Sequence, residues 1–472
     1  MRLCSLLWVG VLPVIVCAAG CPQATPVKKA PPAPSAPLKL LVVDDQPLGE
    51  AIAREWQSRT EAELDVKQAT LADIQRASRL PADIVVFPAG ELGLLVQREL
   101  VRPLDEDALA DEAFDRRDIL DQVRLREMVW GNKTVAVPLG SPRLLVVYRR
   151  DVLDALGLAP PQTWQDYQAL FERLAAENKP ELAAIEPLAD GWAGQMLLAR
   201  AAGYVTHRDQ VSPLFDYQTL EPLIASAPYV RALEELVKAN QGRDSAKAMT
   251  PAEAWSAVRG GQAALAITWA QSAVDGAPAK LAEPTLLTTS VLGFAQLPGS
   301  REVYNVSRQR WDEREADEEI YVPLLAVSGR LAAATTTTAD AAAAQNFLVW
   351  LAGRETSAAI APASRATTLF RQSHLVSAGR FDPSLDAATA KAYWAALARA
   401  CQLQRYVSLR LPGRGEYLSA LDKAVHAALV GDKPPAEALA AADDEWRKIT
   451  EKLGRAAQQR ALKRELGQES LP

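Results

Sequence analysis

LKLLVVDD, residues 38–45, is a nearly unbroken apolar run that ends in two carboxylates. A strand apolar on both faces is buried on both faces, which is the habit of parallel sheets. The chain around it keeps an alternation of strand and helix. LGEAIAREWQSRTE (48–61) puts Leu48, Ile52 and Trp56 on one helical face. LDVKQA (64–69) reads as a second strand and LADIQRAS (71–78) as a short helix. ADIVVFP (82–88) is a third strand, with helix ELGLLVQREL (91–100) behind it. This β-α-β-α-β-α opening predicts an α/β fold with a mainly parallel sheet. Ligands of such sheets bind at the carboxyl ends of the strands. Those ends are Asp44-Asp45-Gln46 and Pro88-Ala89-Gly90-Glu91.

Further on, MVWGNKTVAVPLG (128–140) reads as a hairpin around a Gly-Asn turn, and SPRLLVVYRR (141–150) as another strand. Pro160-Pro161 and a Thr163 cap precede a long amphipathic helix. The chain is mostly helical from about residue 190 to 275. There TPAEAWSAVRGGQAALAITWAQ (250–271) reads as helix, Gly-Gly break and buried strand. LGFAQLPGS (292–300) is a strand entering a loop, 301–319 is a polar charged stretch, and IYVPLLAVSG (320–329) reads as a strand pair. The remainder is helical, and charged residues 456–472 form a tail expected to fray or to extend a helix.

Residues 1–20, MRLCSLLWVGVLPVIVCAAG, carry Arg2, an apolar core from Leu3 to Val16 and then small residues before Cys21. The apolar core is too short for a membrane span and suits an export signal. Its end resembles a bacterial lipobox, so Cys21 is the expected lipidation site and the protein is expected to be anchored outside the cytoplasm. A plain secretory signal with a chance Cys is the alternative. Residues 21–38 are the lipidated Cys and a Pro/Ala-rich tether. Beyond Cys21 only Cys401 remains, so no intrachain disulfide is expected, and its Ala-rich helical setting suggests a buried, inert thiol.

Of the 472 residues 49% are hydrophobic, enough for a sizeable core, and the net charge of -6 argues against a nucleic-acid partner. With three His and no His/Cys cluster, no metal or other cofactor is expected. Gly-x-Ser-x-Gly, His-Glu-x-x-His and a phosphate-binding Gly-x-x-x-x-Gly-Lys-Ser/Thr loop are all missing, so no catalytic residue is assigned.

Six stretches, taken in order, resemble bacterial extracellular solute-binding proteins of family 1, the maltose-binding-protein-like receptors of ABC importers. They are ADIVVFPAGELGLLVQRELVRPLDE (82–106), VAVPLGSPRLLVVYRRDVLDALGLAPPQTWQDYQAL (135–170), the 250–271 segment, LGFAQLPG (292–299), AAAAQNFLVWLAGRETSAAIAP (341–362) and ALVGDKPPAEALAAADDEWRKI (428–449). The resemblance covers roughly 39–455. It implies a two-lobed periplasmic-binding-protein-like fold (type II), with a solute clamped between α/β lobes. Lobe 1 would be 39–142 plus 297–355 and lobe 2 would be 143–296 plus 356–455, with crossovers near 139–147, 291–299 and 353–365. It further implies a non-enzymatic monomer whose partners are a small solute, carbohydrate favoured, and the permease subunits of an ABC transporter. A polyamine, amino acid or other small ion is the alternative solute, and an exported glycan-acting or structural lipoprotein the alternative class.

Within that frame the candidate ligand-binding residues are Asp45, Gln46, Gly90, Glu91, Ser141, Arg143, Trp192, Trp269 and Arg365. Carboxylates and amides read hydroxyls, while aromatic faces carry the apolar face of a sugar ring. Each has a plainer reading. Asp45 suits a helix cap, Glu91 a first-turn dipole partner, and Arg143 an ion pair. Asp44-Asp45 also suits a metal-binding receiver domain, but the third strand ends in Phe87-Pro88 without the Asp such a domain needs. Trp56, Trp255, Trp350, Trp394 and Trp446 fall on apolar helix faces and read as core. Trp192 precedes a helix, Trp269 ends a buried strand, and Trp311 lies in the polar stretch.

Overall fold

The computed structural model describes residues 37–472 apart from 61, 111, 113, 242–247, 272–290, 378–380 and 382–384. The expected signal, Cys21 and the tether through residue 36 lie outside the described residues.

The apolar opening forms β1 (Leu38–Val43), of which only Lys39 is exposed. It pairs in parallel with β2 (Leu64–Ala69) and β3 (Ile84–Pro88). Helix Gln46–Thr60 returns over them and buries Leu48, Ile52 and Trp56. Trp56 packs edge-on to Phe347 and Trp350, at 5.0 and 4.8 Å between ring centroids. A small hairpin follows, β4 (Val129–Trp130) and β5 (Lys133–Thr134). Its turn residues Gly131 and Asn132 both have positive φ, 52° and 58°, the geometry a two-residue hairpin of native twist needs. β6 (Val137–Gly140) then joins the first sheet.

At Ser141–Leu144 the chain passes to a second sheet, whose strands are β7 (Leu145–Arg149), β8 (Ala184–Ile185), β9 (Leu265–Thr268) and β10 (Leu292–Ala295). Their order is β10-β7-β9-β8, with β8 and β9 parallel and the other pairs antiparallel. Thr163 caps helix Trp164–Ala176 in a reciprocal box with Asp166, as its sequence suggests. The helix, Gly-Gly break and strand expected over 250–271 are also present, as Pro251–Arg259 and β9.

The return to the first sheet comes later than the expected 291–299. β10 is still an edge of the second sheet, and the polar stretch is an antiparallel hairpin, β11 (Glu302–Asn305) and β12 (Arg310–Glu313). Arg314, buried beyond it, holds the carbonyl of Gly203 in helix Ala193–Val205 at 2.8 Å, which keeps this stretch on the second sheet's side. Residues 320–329 are not the expected strand pair; they make only a single bridge, Leu324 to Val407. The chain re-enters the first sheet as β13 (Arg330–Ala334), antiparallel between β3 and β6, giving the order β2-β1-β3-β13-β6. It also leaves that side later than expected. Helix Arg354–Ile360 packs on helix Gln46–Thr60, and Arg371 is fully buried, donating to the carbonyls of Phe114 and Ala352.

Gly140 stands where two connections touch. Its φ is 147°, and a Cβ there would meet Thr367 Cα at 2.7 Å and the Thr368 backbone. Next to it Ser141 N donates to Thr368 Oγ1 at 3.1 Å. The charged C-terminal segment does not fray. Helix Arg455–Glu465 buries Gln458, Ala461, Leu462 and Glu465, and Leu471 N donates to Gly131 O at 2.8 Å. No helix among the described residues is long and apolar enough to cross a membrane.

Candidate functional site

The carboxyl ends of β1, β3 and β6 and the start of antiparallel β13 lie along one edge of the first sheet. The register sets Arg330 opposite both Pro88 and Gly140. Asp45, Glu91, Ser141 and Arg330 therefore emerge together. On the second sheet, the end of β9 delivers Trp269, and the chain beyond β8 delivers Trp192 at the start of helix Ala193–Val205.

Contacts between these groups run in a closed circuit. The Asp45 carboxylate accepts from Ser364 Oγ at 2.6 Å and lies 2.9 Å from Arg330 Nε. Both contacts fall on one oxygen, Oδ2, and it is the backbone carbonyl of Asp45 that accepts from the following helix, at Gly49 N. Beside Ser364, the carbonyl of exposed Arg365 accepts from the Trp269 indole at 3.3 Å. Trp269 meets Trp192, 5.9 Å between centroids and tilted by 49°. The backbone about Trp192 is held from helix Arg414–Leu429, where Asp422 accepts from Gly191 N at 3.0 Å and Gly194 N at 2.6 Å. Gln195, one helical turn on from Gly191, takes Arg414 NH2 at 3.1 Å, and the same nitrogen donates to Ala326 O at 2.9 Å. Arg414 then lies against Gly90 and beside Glu91, which returns the circuit to the first sheet.

Burial dominates the electrostatics of the circuit. Glu91 is 4% exposed, and burial raises its pKa while Arg414 draws it back. The Arg414 guanidinium is lowered by burial against the opposing pull of Glu91. Burial also raises Asp422, opposed by its two backbone donors.

Asp45, Gly90, Glu91, Ser141, Trp192, Trp269 and Arg365 thus meet around one region. Gln46 is exposed and bonds to Glu50 on its own helix at 2.8 Å. Arg143 is a correction: it is 0% exposed, 2.7 Å from buried Glu127, and presents no face to a solute. Its NH1 also donates to Ser141 Oγ at 2.5 Å, so the Ser141 hydroxyl is already engaged. Trp311 packs among Tyr204, Tyr304 and Arg231, away from this circuit. Of the core tryptophans, Trp56, Trp255, Trp394 and Trp446 are buried as expected, and Trp350 is half-buried on Trp56. Cys401 is buried, its thiol pushed up to about 11 by desolvation. Among the described residues no three His, Cys, Asp or Glu side chains form a metal-sized group.

Sequence reasoning missed Arg330, Ser364, Gln195, Asp422 and Arg414. The first three carry no local signal. The last two sit in LPGRGEYLSALD (411–422), where Gly413 and Gly415 around an Arg at a helix start were the available hint.

Residues 59–373 match the family model described as bacterial extracellular solute-binding protein. Among solved structures, the chain resembles an ABC transporter solute-binding protein from Agrobacterium radiobacter K84 in complex with ribitol. The TM-score is 0.63 at 19% identity, covering 89% of this chain and 100% of that one. It also resembles one from Agrobacterium vitis S4 with bound D-mannitol, with a TM-score of 0.62 at 17% identity, covering 88% and 99%. At such identities the likeness is one of fold, and it is the two-sheet periplasmic-binding-protein-like fold described above. No curated protein sequence matches the chain. The extent of the family match decides the matter: the chain belongs to the bacterial extracellular solute-binding proteins, a binding and not an enzymatic family.

Proposed function

We propose that the protein is a lipid-anchored receptor outside the cytoplasmic membrane, of the maltose-binding-protein-like type, that captures a sugar or sugar alcohol between two lobes and delivers it to an ABC permease. The observation that carries this reading is the pairing of Trp192 and Trp269, linked through Arg365 O and the adjacent Ser364 to Asp45, and through Gln195 on the helix that Trp192 opens to Arg414. An aromatic floor with carboxylate and guanidinium groups around it suits a molecule with apolar C–H faces and a rim of hydroxyls. Polyols in the two structural neighbours favour the same class. The lobes would be 38–142 with 330–371, and 145–329 with about 385–453. Closure would be a hinge motion at Ser141–Leu144 and the two later connections, biased by a solute that touches both lobes. Cys21 would carry the lipid, and the chain would act as a monomer.

A thermal-shift screen against sugars, polyols, amino acids and polyamines tests the solute class. A ligand bound only to the folded chain stabilises it by about 2.7 kcal/mol at a hundredfold excess over Kd. Stabilisation by sugars or polyols supports the reading; stabilisation by a polyamine or amino acid alone, or turnover of any glycan, overturns it. For the anchor, Cys21→Ala is expected to release the chain from membranes, and persistence on the membrane refutes the lipid.

A further inference from the structure

Arg414 joins three parts of the molecule. It starts helix Arg414–Leu429, its NH2 holds Gln195 and Ala326 O, and its side chain runs against Gly90 in the first sheet's loop. A Cβ on residue 90 would stand 2.5 Å from Arg414 Nε and 2.7 Å from its Cδ, so this passage exists only because residue 90 is glycine. The Nε atom is buried, and among the described residues it has no hydrogen-bond partner. A buried donor left unmet is costly, and natural structures rarely leave one without a role. The Glu91 carboxylate, in the loop after β3 next to Gly90, acts electrostatically on the guanidinium from the first sheet's side.

Each carboxylate of the circuit already has its partners: Asp45 lies 2.9 Å from Arg330, Glu91 is opposed by Arg414, and Asp422 accepts from two backbone N–H groups. A fixed positive or negative solute would find no uncompensated partner and would lose its hydration on entering. A hydroxyl needs none: it accepts from an N–H and donates to a carboxylate at once.

We propose that the solute is uncharged and that Arg414 reads it, its Nε–H and the Glu91 carboxylate taking one hydroxyl group of a polyol from opposite lobes. This rests on the receptor reading above. Arg414 is thereby a specificity-determining residue, and Gly90 is the gap that admits it.

The test is equilibrium binding of ribitol, D-mannitol and D-glucose, with gluconate and glucosamine as charged counterparts, to the wild type, Arg414→Met, Arg414→Lys and Gly90→Ala. Gly90 does not have positive φ, so alanine there is a steric probe without backbone strain. The wild type is expected to bind a neutral compound at least tenfold more tightly than either charged one, with Kd unchanged between low and high salt. Each variant is expected to weaken that binding at least tenfold, and Lys to fail as Met does because it has no Nε–H donor. Thermal melts establish that each variant is folded; should Arg414→Met not fold, Gly90→Ala, which keeps the arginine and moves it, decides. Tight neutral-solute binding that survives in the folded variants within threefold overturns the role of Arg414 and leaves the receptor reading standing. Preference for gluconate or glucosamine overturns neutrality. A wild type that binds none of the five refutes the polyol reading and this proposal with it.

Discussion

Asp45 and Arg330 meet at 2.9 Å from opposite ends of the first sheet's history, one at the close of its first strand and the other at the opening of its last. Neither side chain has much solvent, at 6% and 12% exposure, so the pair fixes the edge from which the candidate site grows. Ser364 adds a hydrogen bond to the same carboxylate. Removing one partner strands the other charge. Asp45→Ala is expected to lower unfolding stability by about 3 kcal/mol, the usual size for breaking a buried pair. Urea denaturation reads this, and a loss under 1 kcal/mol would show the pair to be screened as a surface one.

The two tryptophans of the site should separate stability from binding. Trp192 is half-buried and Trp269 is 3% exposed. Trp192→Ala is expected to weaken solute binding by roughly 1–3 kcal/mol, by analogy with other aromatic stacking, with little change in melting temperature. Trp269→Ala is expected to lose about 3–5 kcal/mol of stability as well, as large-to-small core changes do. Asp422→Ala should act like Trp192→Ala at reduced size, since Asp422 holds Gly191 and Gly194 on either side of that ring. Calorimetry of melting and of binding on the same samples checks all three.

Local patterns were legible where burial is periodic and neighbours in sequence are neighbours in space. The parallel opening of the first sheet, the Thr163 box and the helix-break-strand at 250–271 are of that kind. So are Asp45, Glu91, Trp192 and Trp269, which stand at strand ends or at a helix start. Arg330, Ser364 and Arg414 were not legible, because their roles come from contacts with residues 88 to 319 positions away. Arg143 was misread for a related reason. An arginine between Pro142 and Leu144 looks the same whether it faces a cleft or a buried glutamate, and only the packing of Glu127 distinguishes them. The later returns to and from the first sheet were hidden by polar residues 301–319, whose composition suggests a loop although their cross-strand pairing makes a hairpin.

Gly140 should tolerate no side chain. At φ 147° an L-residue is strained, and its Cβ would collide with the Thr367–Thr368 backbone. Gly140→Ala is expected to cost on the order of 3 kcal/mol from strain and overpacking together. Thr368→Ala, which removes only the bond to Ser141 N, should cost about 1 kcal/mol. Comparable losses in the two variants would refute the steric account.

His374 predicts an acid-side loss of stability. It is 1% exposed. Its Nδ1 faces the N–H groups of Phe370 and Arg371 at 3.3 Å, so that nitrogen accepts, and its Nε2 lies 3.1 Å from Arg354 O. Burial, with Arg371 nearby, depresses its pKa from 6.5 to about 4. Between those values the unfolded chain binds the proton and the folded chain does not, so stability falls as pH drops through this window. The group's share is roughly 3 kcal/mol across the whole window. Between pH 7 and pH 4, His374→Gln is expected to show a flatter profile of urea midpoints than the wild type. Parallel profiles would assign the acid sensitivity to other groups.

The chain end should act as a strap between the lobes. At one end of helix Arg455–Glu465, Arg455 NH1 holds Glu221 at 3.0 Å and Thr219 O at 2.6 Å, and Gln459 holds Gln218 O at 2.7 Å. These partners lie ahead of helix Ala227–Ala239, which packs on helix Ala193–Val205 on the second sheet's side. At the other end, Gly131 N donates to Arg464 O and Leu471 N to Gly131 O, while Asn132 Nδ2 donates to Gly467 O and Ser470 Oγ. That hairpin leads straight into β6 of the first sheet. A hinge rotation that moves Gly131 relative to Thr219 must therefore break one set of bonds. Deleting residues 467–472 removes three of the four bonds at the hairpin end and keeps the buried Glu465 contacts with Ser408 and Arg410. With each exposed hydrogen bond contributing about 1 kcal/mol or less, the truncated chain should lose about 2 kcal/mol and remain folded. Fluorescence energy transfer between a label in each lobe, without solute, should then show a broader distance distribution, and Arg455→Ala with Gln459→Ala should broaden it from the opposite end. A distribution unchanged in both variants would mean that the helix rides on one lobe and restrains nothing.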